Sequence, residues 1–289
     1  MIKKLRYFIE YIIVRTFVFM TKILPISIMS SYYAMVFYVI GSKLPADKTA
    51  EKNLKFVFPK KSSSEIKKIK ENVWKNLGHN FAEFAYFSKL SKSQFLEHVK
   101  VSGIENLAPY TEKGIPILFY GGHFSNWELM SIALKLYEIK TNIIYRKINN
   151  DYLDDYVLDM RSSKFNILHA KGLRNATKIV NAVKKGECFA SLIDQKLTQG
   201  IEVPFFGKKT KTPPLIAQLA IKFDLPLIGV NIKRIDNMSY ELKFEEILKY
   251  KSFENKDKQI REIMLKINQK VEKWIIDAPE QWFFVHNRW

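Results

Sequence analysis

One histidine of this sequence stands in a setting that suits acid–base chemistry. His123 follows Gly121 and Gly122, which come directly after the apolar run at residues 115–120, and residues 125–137 are predicted to form a helix. Ligands of open α/β sheets bind at the carboxyl ends of strands, and glycines allow a close approach to the backbone. A neutral imidazole at such a turn could take a proton from a hydroxyl group.

Glu128 is the candidate partner of His123, because it lies five residues further on, in the first turn of the predicted helix. A carboxylate on the far ring nitrogen would fix the tautomer of the imidazole and stabilise its protonated form. The spacing from Ser125 to Glu128 also fits a capping box, in which Glu128 reaches back to the Ser125 amide. These residues alone leave both interpretations open.

The other histidines lack a carboxylate at comparable spacing within a glycine-rich turn. They are His79, His98, His169 and His286. A zinc site at His123 is not favoured, since no second histidine falls at helical ligand spacing from it. The single cysteine, Cys188, excludes an internal disulfide framework and a zinc site built on cysteines. No metal or diffusible redox cofactor is implied.

Alternating strand-like and helix-like segments must position this turn. We predict strands at residues 115–120, 142–145, 188–193, 227–232 and 240–245. We predict helices at residues 65–88, 125–137, 152–164, 173–185, 212–223 and 255–276, with a polar connection at 48–64. Strands separated by single helices imply crossover connections. The predicted fold class is therefore α/β, with a mixed, largely parallel sheet flanked by helices at residues 46–289.

The first 45 residues differ from the rest of the chain. Residues 23–42 carry no charged side chain, and all charges before them except Glu10 are positive. Twenty uncharged residues could cross a bilayer, but Pro25 and several serines interrupt them. Two helices, at residues 2–22 and 26–41, could instead lie in the membrane interface or pack as a buried hairpin on the globular body. We predict that residues 1–45 form a membrane-associating helical segment with its cationic end in the cytoplasm.

The chain is strongly basic, which restricts its partners. Lys and Arg total 47 of the 289 residues and Asp and Glu total 29, so the formal net charge is +18. Such an excess favours nucleic acid, an anionic membrane surface or a phosphorylated substrate as partner. A mean hydropathy of −0.16 excludes a polytopic membrane protein. The cations are scattered and form no recognisable nucleic-acid motif.

The residues at 121–128 resemble the H-x4-D/E signature of glycerolipid-type acyltransferases. The larger pattern resembles the lauroyl/myristoyl family, the late acyltransferases of lipid A biosynthesis in Gram-negative bacteria. Further matching blocks are Tyr145-Arg146, residues 171–186, Asp194-Gln195, residues 203–207 and residues 279–289. Lys147 stands where the family often has proline.

This resemblance implies an acyltransferase fold and a reaction at the bacterial inner membrane, with the catalytic domain facing the cytoplasm. A fatty acyl chain would move from acyl carrier protein to a hydroxyl of a Kdo-bearing lipid A precursor. His123 would be the general base and Glu128 its orienter. The expected substrate-binding or oxyanion residues are Arg146, Arg161, Asp194, Gln195 and Asn126, with Lys171 a further phosphate binder or part of a solvated face. Asp194 would hold Arg146 or Arg161, or cap a turn.

The expected partners are acyl carrier protein, an acidic glycolipid and the anionic inner leaflet, without nucleic acid. The carrier thioester is the co-substrate, and no cofactor is expected. One alternative is a phospholipid or other glycolipid acyltransferase that uses acyl-CoA, since its histidine chemistry would be the same. The other is a non-enzymatic basic protein that binds membrane or nucleic acid.

Overall fold

The computed structural model describes residues 2–289, apart from the side chains of residues 2 and 22. The strands are β1 (Val99–Ser102), β2 (Leu118–Gly121), β3 (Thr141–Tyr145), β4 (Asn166–Ala170), β5 (Cys188–Leu192), β6 (Ile201–Phe205), β7 (Lys208–Thr212), β8 (Leu227–Asp236) and β9 (Ser239–Ile247). The helices are α1 (Ile2–Ile23), α2 (Ile26–Gly41), α3 (Pro45–Val57), α4 (Ser63–Phe87), α5 (Lys92–His98), α6 (Ala108–Thr111), α7 (Glu128–Leu136), α8 (Asp151–Arg161), α9 (Leu173–Lys184), α10 (Leu215–Phe223) and α11 (Lys256–Asp277).

A mixed seven-stranded sheet forms the centre, in the order β1-β9-β8-β2-β5-β3-β4. Neighbouring strands run parallel except β8 and β9, which form an antiparallel pair. The chain therefore leaves β2, visits β3 and β4, and returns to insert β5 beside β2. The predicted largely parallel α/β sheet is confirmed.

Both faces of the sheet are covered, as its apolar strands require. Alternation along β2 directs Leu118 and Tyr120 into an apolar layer that includes residues of α9, α10 and α11. Phe119 points to the opposite face, into a layer that includes α7 residues such as Leu129. The strand before the His123 turn is thus fixed from both sides.

Several local predictions differ from the structure. Residues 48–64 were expected to be a polar connection, but most of them belong to α3 and the start of α4. Pro45 occupies the first turn of α3, where its missing N–H costs nothing, and Ala50 and Leu54 are buried. Helix α10 begins at Leu215 rather than at 212, because residues 208–212 form a hairpin strand with β6.

The two predicted N-terminal helices are present as α1 and α2. Gly78 of α4 lies directly beneath the Tyr33 carbonyl of α2, where a Cβ would collide with that backbone group. Met29, Tyr33 and Ala34 are buried in this contact, as the hairpin alternative requires for α2. Within residues 2–289, no helix combines the length and apolar character needed to cross a bilayer. The division of the chain at residue 45 stays a prediction.

Candidate active site

His123 and Asp194 meet because they follow neighbouring parallel strands. Gly121, the last residue of β2, pairs with Leu192, the last residue of β5, and each functional side chain comes two residues later. Gly122 lies so close to Asp194 that a Cβ there would be 3.1 Å from Oδ2 of the carboxylate. A glycine at this position therefore lets the carboxylate approach the backbone of the turn.

The Asp194 carboxylate binds His123 twice. Its Oδ1 lies 2.7 Å from Nδ1 of the imidazole, and its Oδ2 accepts the His123 backbone N–H at 2.7 Å. An ionised carboxylate can only accept, so Nδ1 must carry the hydrogen. In the neutral ring Nε2 then has a free lone pair, which is the state that a general base requires.

Asp194 is fully buried and yet held as an anion. Burial alone would raise the pKa of its carboxyl, but the charge and hydrogen bond of His123 more than offset that effect. His286 and the indole N–H of Trp282 act in the same direction, so the pKa lies well below its usual range. The imidazole remains partly exposed, with 17% of its side-chain surface accessible. The pair thus combines a carboxylate that is shielded from water with a base that a substrate can reach.

Glu128 does not occupy the expected position beside His123. Its carboxylate instead forms a two-pronged ion pair with Arg161, in which Nε donates to Oε2 at 2.9 Å and Nη2 donates to Oε1. The expected role of Asp194 as the partner of Arg146 or Arg161 is likewise wrong, because Asp194 binds His123. The two carboxylates have exchanged their predicted partners.

The capping-box alternative for Glu128 is also wrong. Helix α7 begins at Glu128 itself, and the Ser125 amide donates to the Gln281 carbonyl at 2.7 Å. Ser125 adopts a left-handed conformation, with φ 52°, which a non-glycine residue rarely holds without support. Asn80 supplies that support by donating to the Ser125 carbonyl at 2.5 Å.

Comparison with known proteins now adds to this geometry. The family model for bacterial lipid A biosynthesis acyltransferases matches residues 1–289. The chain belongs to that family. It is 29% identical over 248 residues to the lipid A biosynthesis palmitoleoyltransferase of Escherichia coli strain K12, covering 83% of this chain and 77% of that one. The lipid A biosynthesis acyltransferase of Shigella flexneri matches with the same identity and coverage.

The predicted enzyme class is thereby confirmed: the protein is an acyltransferase of lipid A biosynthesis. The alternative of a non-enzymatic basic protein is excluded by the same findings. Among residues 2–289, no cluster of His, Cys, Asp or Glu side chains is arranged to hold a metal ion.

The remaining predicted site residues of the acyltransferase differ in their surroundings. Arg146 is exposed at the end of β3, and Lys171 follows β4 next to it, with its backbone N–H donating to the Tyr145 carbonyl. Gln195 is half-buried directly after Asp194. Asn126 is fully buried and its Nδ2 faces Glu83, so it is not available to a substrate.

Sequence reasoning missed the role of three aromatic side chains around His123. The rings of Trp127 and Phe283 lie 5.3 and 6.0 Å from the imidazole between centroids. Trp282 donates its indole N–H to Oδ2 of Asp194 at 2.6 Å. The C-terminal block that carries Trp282 and Phe283 stood out in the sequence, but no spacing rule connects residue 282 with residue 123.

Proposed function

We propose that this acyltransferase moves a fatty acyl chain from the thioester of acyl carrier protein to a hydroxyl of a Kdo-bearing lipid A precursor. The hydrogen-bonded pair of His123 and Asp194 carries the proposal, because it provides a base at the end of β2 that is oriented from its far side. The net charge of +18 supports acidic partners on both sides of the reaction, namely the carrier and the phosphorylated glycolipid.

His123 acts as the general base. Its Nε2 takes the proton of the acceptor hydroxyl while the hydroxyl oxygen attacks the thioester carbon, so that a tetrahedral oxyanion forms. When the oxyanion collapses, the carbon–sulfur bond breaks and the protonated imidazole returns the proton to the leaving sulfur. The products are the new ester and the free thiol of the carrier. Asp194 stabilises the imidazolium between these two steps.

Arg161 supplies positive charge beside this reaction. Glu128 fixes its guanidinium through Nε and Nη2, and the guanidinium lies 5.4 Å from the centre of the Phe84 ring. Nη1 of Arg161 has no hydrogen-bond partner among residues 2–289, so it can donate to an oxyanion or to a substrate phosphate. Arg146 and Lys171, exposed at the same edge of the sheet, are further contacts for an acidic headgroup.

The reaction is tested with acyl carrier protein thioesters of several chain lengths and the Kdo-bearing precursor, followed by mass spectrometry of the glycolipid. We expect the precursor to gain the mass of one acyl chain, with a preference for one chain length. Acyl-CoA of the same length serves as the matched donor. Equal transfer from acyl-CoA would contradict the proposed donor, and acylation of a phospholipid instead of the precursor would contradict the proposed acceptor.

The role of His123 is tested by His123→Ala. We expect transfer to fall by at least about 100-fold, because a positioned general base contributes that much or more. His98→Ala is the control, since His98 contacts Tyr86 and the Met238 carbonyl away from the site. A folded His123→Ala variant that keeps near-normal transfer would contradict the mechanism.

We further propose that α1 lies on the anionic inner leaflet, with the catalytic domain on the cytoplasmic side. Leu5, Ile9 and Ile12 recur at helical spacing and are each about half exposed, and the nearby Lys3 and Lys4 are exposed cations. A helix with these two features lies in the interface and favours acidic lipids.

Vesicle flotation tests the membrane proposal. The wild-type chain should float with vesicles that contain an acidic phospholipid, and a variant with serine at positions 5, 9 and 12 should not. Deletion of residues 1–45 is a less specific test, because α2 packs on α4 and its removal exposes core residues. Undiminished flotation of the triple-serine variant would contradict the role of α1.

A further inference from the structure

The last residues of the chain pair with the His123 turn through the backbone. The Ser125 N–H donates to the Gln281 carbonyl at 2.7 Å, and the Phe283 N–H donates to the His123 carbonyl at 3.0 Å. Phe124 and Trp282, between these partners, form an antiparallel bridge. The turn that carries His123 is therefore held by residues more than 150 positions away in the chain.

Trp282 adds a side-chain contact to this pairing. Its ring is almost completely buried, with 1% of its surface exposed, and packs edge-on against Phe284 with centroids 4.6 Å apart. Its indole N–H is a donor only, and that donor is used on Oδ2 of Asp194. Oδ2 is also the atom that accepts the His123 backbone N–H, so Oδ1 is left for the imidazole.

Arg288 anchors the same C-terminal segment to β7. Its Nη atoms donate to Thr212 Oγ1 at 2.9 Å and to the Lys211 carbonyl at 3.0 Å, and its guanidinium lies over the Phe205 ring. Within residues 2–289 no carboxylate forms an ion pair with it. Burial lowers the pKa of Arg288 to about 10, and the negative charge of Asp194 opposes that shift.

We propose that residues 281–289 are a positioning element of the active site, in which Trp282 fixes the Asp194 carboxylate toward His123 and Arg288 anchors the segment to β7. The inference rests on the proposed function, since it assigns the orientation of the same pair. Without the indole donor, Oδ2 keeps only the His123 backbone N–H, so the direction of the carboxylate and of the imidazole bound to it is less tightly fixed. A misplaced base reacts more slowly even when substrate binding is unchanged.

Trp282→Phe tests this inference, because it keeps an aromatic ring in the buried site and removes the indole donor. We expect kcat to fall about 10- to 100-fold with little change in KM. The acid limb of the pH–rate profile should move to higher pH by roughly half a unit or more, because a carboxylate that has lost a donor holds the protonated imidazole more strongly. Trp274→Phe is the matched control, since Trp274 is also a buried indole that donates to a carboxylate, that of Glu245.

A purely structural role for Trp282 makes a different prediction. In that case Tm would fall in both Trp282→Phe and Trp274→Phe, and the acid limb would stay at its wild-type pH. That result would overturn the inference. Should Trp282→Phe fail to fold, 3-benzothienylalanine at position 282 replaces it, because this residue keeps the bicyclic ring and exchanges the indole N–H for sulfur. An acid limb that stays at the wild-type pH in this variant would overturn the inference as well.

His123→Ala, measured in the same series, separates this inference from the proposed function. Full activity of that variant would show that the base itself is misassigned, and both proposals would fall. An inactive His123→Ala together with an unmoved acid limb in Trp282→Phe would leave the base in place and remove only the role of Trp282.

Discussion

Two fully buried carboxylates, Asp194 and Glu83, contact the turn at residues 122–126. Asp194 accepts from His123 and Trp282, and Glu83 accepts from Ser30, Arg234 and Tyr240. Burial alone would raise the pKa of each carboxyl, and for each the neighbouring positive charge and donors reverse the direction. As buried anions held by protein donors the two are alike, and they differ in their principal partner.

The partner of Glu83 is the guanidinium of Arg234, whose side chain is 10% exposed. Arg234 donates from Nη1 to Oε1 at 2.7 Å and from Nη2 to Oε2 at 3.1 Å. The same guanidinium also donates to Asn80, which supports the Ser125 carbonyl. The guanidinium stays protonated, so the pair can hold the turn but cannot exchange a proton with a substrate.

The partner of Asp194 is an imidazole with 17% of its side-chain surface exposed. Under the proposed mechanism, a buried carboxylate serves chemistry when its partner is an imidazole that can exchange a proton with a substrate, and serves the fold when its partner is a guanidinium that stays charged. Replacement of each carboxylate by its amide should separate activity from stability.

The largest effect on activity is expected for Asp194→Asn. The amide keeps the shape of the side chain, but it cannot hold Nδ1 of His123 in its protonated tautomer, so kcat should fall by about 1,000- to 10,000-fold. Steady-state transfer and a urea unfolding curve on the same preparation measure the two quantities. If activity falls only in proportion to the unfolded fraction, Asp194 would have a purely structural role, as Glu83 does.

Glu83→Gln should have the opposite effect, a large loss of stability with little loss of activity. It leaves Arg234 buried without its counter-charge, which costs about 3–5 kcal/mol of unfolding free energy. The fraction that remains folded should keep most of its kcat, because no atom of Glu83 contacts His123 or Asp194. A second substitution, Arg234→Met, should recover part of the stability, and further destabilisation by it would contradict the pairing.

The sequence predicted the surroundings of Asp194 better than those of Glu83. His123 was identified as a candidate base because a glycine pair, an apolar strand and a predicted helix mark a strand-end turn locally. Asp194 was placed correctly at the end of its strand, but its partner was wrong, since sequence order does not reveal that β5 inserts between β2 and β3.

Long-range pairs escaped prediction altogether. Glu83 lay in a predicted amphipathic helix without any mark of its buried role, and Arg234 lies 151 positions away from it. The strands β1, β4, β6 and β7 are only four or five residues long, so pattern alone did not reveal them. Tertiary pairing supplies the energy that forms these elements, and a single sequence does not display it.

The pH dependence of stability tests the surroundings of Glu83, with a smaller expected effect. Burial, together with the charge of Arg234, lowers the pKa of His79 to about 4, so the folded state keeps this ring neutral. The unfolded chain takes up the proton near pH 6.5, and stability is therefore lost as pH falls from about 6.5 toward 4. The loss should reach about 2 kcal/mol by pH 5.

Urea unfolding at pH 7, 6 and 5 measures this loss, and His79→Gln is the control that should remove the part of the slope due to His79. His169 and His286, whose pKa values are also lowered by burial, contribute to the rest. The buried carboxylates do not interfere in this window, because the lowered pKa of Glu83 and of Asp194 confines their contribution to lower pH. An unchanged slope in His79→Gln would assign the dependence to another histidine.

The smallest effect on activity is expected for Ser30→Ala, which removes the contact of α2 with Glu83 and His79. Ser30 has one hydroxyl hydrogen, and Oγ lies 2.6 Å from Oε1 of Glu83 and 2.6 Å from Nδ1 of His79. The carboxylate cannot donate, so the hydroxyl donates to Glu83 and accepts from the Nδ1–H of His79.

Loss of this single hydroxyl should cost about 1–3 kcal/mol of unfolding free energy, because it leaves a buried donor unpaired, while Glu83 keeps Arg234 and Tyr240. Transfer activity at 25 °C should stay within about twofold of the wild type, since the links from Asn80 and Gln281 to the turn remain. A loss of kcat as large as that of Asp194→Asn would instead show that the N-terminal helices set the geometry of His123, and the separation between the two carboxylates would fail.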